Sequence, residues 1–118
     1  MRISIFLLFL FAAACSDVDK VPREVLGPEK MKVIIFDLLR ADELVNTHTG
    51  DTLYKRDKEA EKNYEQIFLI HEVNKKQFYE SYKYYQAHPN INKALFDSLI
   101  AYGNRKRNIK QLNKPSVK

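Results

Sequence analysis

An all-α fold, a small bundle of three to four helices, is what this 118-residue chain predicts. Three observations carry that prediction. Apolar residues recur at helical spacing from Met31 to Tyr102. Helix-start signals stand at Pro28, Asn74 and Pro89. No alternating strand pattern bounded by hairpin turns occurs anywhere.

The N-terminal element is a leader rather than part of the fold. Arg2 precedes the apolar run Ile3 to Phe11, and Ala12-Ala13-Ala14 supplies the small residues a signal peptidase accepts. The run is shorter than the ~20 residues a membrane-spanning helix needs. Residues 1–14 are therefore expected to be a signal peptide, and the chain's only cysteine, Cys15, follows at once. This layout resembles bacterial lipoprotein signals, with Ala12 where leucine is usual, and it implies acylation of Cys15. Several acyl chains hold far more firmly than one, because each buried methylene contributes about 0.8 kcal/mol.

Residues 15–27 are expected to be the lipidated cysteine and a tether. Ser16, Asp17 and Asp19 form a short polar, acidic stretch that resembles the export signal sending Bacteroidetes lipoproteins to the outer cell surface. With no second cysteine there is no internal disulfide, so stability must come from packing.

The helical domain is expected over 28–104. Pro28 occupies the favoured first helical position, and Glu29 complements the positive end of the dipole. Met31, Ile34, Ile35, Leu38, Ala41 and Val45 share one face. Val33, Phe36 and Leu44 form a second apolar stripe, which marks a helix central to a bundle or pressed against a partner. Asp42 interrupts the first stripe and needs a hydroxyl, lysine or amide to meet it, since a buried unpaired carboxylate is costly.

After a break over 46–50, Asp51 can cap a second helix reaching about Glu72, with Leu53, Ala60, Tyr64, Ile67, Phe68 and His71 inward. Asn74 and Gln77 form a capping-box pattern opening a third helix, with Phe78, Ser81, Tyr82 and Tyr85 inward and Tyr84 facing away. His88-Pro89 ends it, and Pro89 starts a fourth that buries Ile91, Ala94, Leu95, Ser98, Leu99 and Tyr102. Beyond Gly103 the apolar period fades. Residues 105–118 are expected to be a basic flexible tail, carrying Arg105, Lys106, Arg107, Lys110, Lys114 and Lys118 and no acid.

The succession Tyr64-x-x-Ile67, Phe78-x-x-Ser81-x-x-Tyr84-Tyr85-x-x-His88-Pro89 and Asp97-x-Leu99, behind a lipoprotein-type leader, resembles the DUF4296 family of small Bacteroidetes lipoproteins. The similarity covers about Val21 to Arg105. It implies a compact helical lipoprotein domain with no assigned activity, in which Phe78, Ser81, Tyr84, Tyr85, His88 and Pro89 serve the structure.

The chemistry-bearing residues point away from catalysis. His48, His71 and His88 lack the paired spacing of zinc sites. No Gly-rich phosphate loop, nucleophile elbow or Ser-His-Asp pattern is present, and the chain has three glycines in all. No enzyme, metal or cofactor is expected. Lysines interleave with aromatics from Lys75 to Tyr85 as in nucleic-acid binders, but helical spacing turns Phe78, Tyr82 and Tyr85 inward, so no nucleic-acid partner is expected. The expectation is a noncatalytic accessory module of the bacterial envelope, held at the outer membrane by lipid on Cys15 and meeting an envelope protein. The second reading is a module binding an anionic envelope polymer or glycan through the basic tail and exposed tyrosines.

Overall fold

In the computed structural model, which describes residues 20–48 and 53–114, four helices follow one another: α1 (Pro28–His48), α2 (Leu53–Ile70), α3 (Lys75–Ala87) and α4 (Pro89–Leu112). No strand occurs among the described residues, so the all-α expectation holds. Helix α1 is the central element, packed against both α2 and α4, while α3 packs on α4. Asp37 meets His71 and Asp42 meets Tyr64, so α2 runs antiparallel to α1. Lys32 and Phe36 lie against Tyr102, and Arg40 and Glu43 stand opposite Lys106 and Lys110. Contacts therefore advance the same way along both helices, and α4 runs alongside α1 in the same sense.

The apolar stripe of α1 becomes the core because three elements close on it. Met31, Ile34, Ile35 and Leu38 are buried with Phe68 of α2, Phe78 and Tyr85 of α3, and Leu95 and Leu99 of α4. The second stripe divides. Phe36 turns its ring edge-on to Tyr102, with centroids 5.1 Å apart, in the T-shaped geometry favoured by aromatic quadrupoles. Val33 is half-buried, and Leu44 stays 54% exposed.

The turn from α2 to α3 is a Schellman closure. The Val73 N–H reaches Phe68 O at 2.9 Å and the Glu72 N–H reaches Leu69 O at 3.1 Å, while the side chains of Phe68 and Val73 are buried in one cluster. Those bonds satisfy carbonyls that a helix end leaves open. The motif places Glu72 at φ 53°, a left-handed position usually given to glycine. At the next start, Asn74 Oδ1 accepts from the Gln77 N–H at 2.7 Å, the N-cap that the sequence predicts.

Two boundaries and one burial differ from expectation. Residues 15–27 were to be tether, yet by Val21 the chain is packed: Val21 and Val25 lie against the core and Leu26 is buried in it. Helix α4 does not end at Gly103, so the basic segment expected to be a flexible tail is helical as far as Leu112. Gly103 lies inside the helix and faces Phe36; a Cβ there would stand 3.4 Å from Phe36 Cε2, an ordinary van der Waals contact. Ala94, expected in the core, is exposed.

Candidate functional site

The motif residues of α3 converge on the backbone of the segment before α1. Ser81 and Tyr85 stand one turn apart and so share a face. Ser81 Oγ accepts from the Leu26 N–H at 2.9 Å and donates to Gln77 O at 2.7 Å. The Tyr85 hydroxyl donates to Leu26 O at 2.9 Å. Both backbone groups of one residue are thus held by side chains more than fifty positions away in sequence. Tyr85 is fully buried, and burial together with the neighbouring Tyr84 pushes its hydroxyl up to about 12. A phenol that stays neutral remains a donor, which the clamp on Leu26 requires.

The other motif residues are placed around this clamp. Phe78 is buried against Phe68, centroids 5.2 Å apart, and stacks on Tyr82 at 6.1 Å. Tyr84 stacks on His88 at 4.0 Å and meets the edge of Tyr85 at 6.2 Å. His88 Nδ1 lies 2.7 Å from Tyr84 O, across the α3–α4 junction that Pro89 opens. Cys15, Ser16, Asp17 and Asp19 lie outside the described residues.

Two polar pairs tie α1 to α2. The Tyr64 hydroxyl donates to Asp42, 2.7 Å from each carboxylate oxygen. It is the donor that the inward-facing aspartate required. Burial and then this bond raise the Tyr64 hydroxyl to about 12. His71 Nε2 lies 2.8 Å from Asp37 Oδ2. His48, read as a loop residue, is the last residue of α1.

The structure also assembles a group that sequence reasoning missed. Between α1 and the C-terminal half of α4 runs a groove of about 320 Å³, lined by Phe36, Arg40, Glu43, Gly103, Lys106, Arg107 and Lys110. Four cations face one carboxylate there. None of those four cations makes an ion pair among the described residues. At the inner end, Tyr102 has Lys106 Nζ 5.4 Å and Lys32 Nζ 5.7 Å from its ring centroid, within cation–π range. Lys32 is itself buried, its ammonium 2.6 Å from Glu29. One signal in the sequence could have found the groove. Leu95, Leu99, Gly103, Lys106 and Lys110 keep helical spacing, so the lysines extend the inner face of α4 after its apolar residues end.

A second groove of about 250 Å³ lies on α2, where Asp57, Glu61 and Glu65 rim Tyr64 and Phe68, with Lys75 at its edge. Among the described residues no helix is long and apolar enough to cross a membrane.

The family comparison agrees with these boundaries. The model described as "Domain of unknown function (DUF4296)" matches residues 22–109, from the packed segment before α1 to the last turns of α4, and the chain belongs to that family. No curated protein and no solved structure matches it.

Proposed function

We propose that this protein is a lipid-anchored, noncatalytic interaction module of the bacterial cell envelope, held at the outer membrane through Cys15 and offering its helical domain to an envelope protein. The observation that carries the reading is the use made of the interior polar groups. Ser81 and Tyr85 bind the Leu26 backbone, Tyr64 binds Asp42, and His71 pairs with Asp37. Each is occupied in holding one element to another, which leaves recognition to the surface. The anchor fits this use. Packing begins at Val21, so the tether from Cys15 reaches at most roughly 20 Å when extended at ~3.4 Å per residue. A body held that close meets partners at the membrane.

The test is metabolic labelling with a fatty-acid analogue and membrane fractionation of the native chain beside Cys15→Ala. Label and membrane association should both disappear in the variant. Label that persists in Cys15→Ala, or a native chain that fractionates away from membranes, would refute the anchor. Partners captured with the native chain should be released by Leu39→Lys and Leu44→Lys, which charge the two exposed leucines of α1. Unchanged capture would count against α1 as the contact face.

A further inference from the structure

We infer that the α1–α4 groove binds a segment of acidic polysaccharide, with Arg40, Lys106 and Lys110 holding the carboxylate or phosphate groups and the ring of Phe36 lying against a sugar. This deepens the interaction-module reading by naming a ligand class, but it rests on the groove and not on the anchor.

The charge arrangement is the first argument. Exposed basic residues usually find a carboxylate or face open solvent, and Lys93 and Lys76 do so, pairing with Asp97 and Glu80 on their own helices. Arg40, Lys106, Arg107 and Lys110 line the walls of one concave space with Glu43 as the single acid. Like charges gathered in a concavity focus potential and attract a multivalent anion. Compensation of helix dipoles accounts for only part of the set. Lys110 stands in the last turn of α4, but Arg40 lies two turns inside α1 and Lys106 more than a turn inside α4, beyond the range over which a dipole end acts.

Shape is the second argument. The cations on α4 extend from the Tyr102 ring to Lys110, roughly 12 Å at 1.5 Å per residue, which matches two to three repeats of an extended anionic chain rather than a single ion. The space of about 320 Å³ is near the lower size for a small-molecule site, enough for one charged sugar with its neighbours continuing along the groove. Phe36 lines it, braced from behind by the edge-to-face ring of Tyr102, with the Arg40 guanidinium 5.9 Å from its ring centroid, so apolar ring and cation stand side by side as a charged sugar would meet them.

The same geometry disfavours a membrane surface as the occupant. A flat array of headgroups meets protruding cations, whereas these flank a recess. The folded chain also begins at the other end of α1, with Arg40 about 18 Å along the helix from Pro28 at 1.5 Å per residue.

The experiment is calorimetric titration of the full chain in nonionic detergent with polygalacturonate and neutral dextran, and of the Cys15→Ala chain without detergent with vesicles with and without phosphatidylglycerol. Polygalacturonate should bind, with affinity falling steeply as salt rises, and neutral dextran should not. Lys106→Glu with Lys110→Glu, and separately Arg40→Glu, should weaken binding by about tenfold or more. Lys58→Glu with Lys62→Glu, on the exposed side of α2, makes the same charge change away from the groove and should alter affinity by no more than about twofold. Circular dichroism of each variant should show unchanged helix content, since all five positions are exposed. Equal loss in the α2 control would reduce the effect to net charge and overturn the groove. Groove-dependent binding to anionic vesicles without binding to polygalacturonate would overturn the polysaccharide. Absence of label on Cys15 would end the anchor proposal while leaving this titration unaffected.

Discussion

The two ends of the α1–α4 pair are built from the same helices and behave oppositely. Near the start of α1 the space is closed: Met31 and Ile34 are fully buried, Leu95 nearly so, and Ser81 and Tyr85 clamp Leu26 over the entrance. Near the ends of the two helices the space is open, and the residues facing it are Arg40, Lys106 and Lys110. The change falls at Phe36, Tyr102 and Gly103, where the two aromatic rings form the last close-packed layer. One helix pair can thus supply a core at one end and an open cationic groove at the other. All that is required is that the inner face of α4 turn from leucine to lysine.

That contrast can be broken most severely at the closed end. Tyr85→Ala should lower stability by about 3–5 kcal/mol through cavity formation, with further loss from the freed Leu26 carbonyl, as read by urea denaturation. A cost below about 1 kcal/mol would show that the clamp is dispensable. Ser81→Ala should cost about 1–3 kcal/mol, because the buried Leu26 N–H loses its acceptor. Ser81→Thr retains the hydroxyl and should recover part of that loss if the added methyl is accommodated.

Tyr64 lies between the extremes, half-buried and bonded to Asp42. Tyr64→Phe should cost about 1 kcal/mol at neutral pH. Alkaline pH tests the hydroxyls of Tyr64 and Tyr85. Both are raised from 10.0 to about 12 in the folded chain, so above pH 10 the unfolded state loses protons that the folded state retains. Stability should be complete below pH 10 and fall as pH rises toward 12. Tyr64→Phe should make that fall shallower in thermal melts taken across this range, and an unchanged slope would remove Tyr64 from the account. The smallest effect belongs to the open end. Lys106→Glu with Lys110→Glu should change stability by no more than about 0.5 kcal/mol. If it destabilised the protein as much as Ser81→Ala, the groove would belong to the core and the contrast between the ends would fail.

How much was legible in the sequence depended on how far apart the interacting residues lie. The Asn74 cap, the His88-Pro89 junction and the stripe of α1 could be read directly, because capping bonds span three residues and helical faces repeat within four. The need of Asp42 for a donor was legible for a similar reason, since its own helix turns it inward, although its partner was left among three kinds of donor. The Leu26 clamp was not legible. Its bonds join residues 55 and 59 positions apart, and two apolar residues between Pro22 and Gly27 are too short a run to show a helical or strand period. Gly103 was misread as well, since a lone glycine near the end of a fading pattern reads as a stop, whereas α4 continues through it to Leu112, with Phe36 of another helix against it.

The sequence by itself determined the helices and their polarity, since spacing and caps are properties of neighbouring residues. Only the tertiary structure decided which helices meet, that Leu26 is held rather than free, and that the basic run after Gly103 is a wall facing Arg40 instead of a tail. Those outcomes depend on side chains brought together from distant positions, where burial and charge act through space.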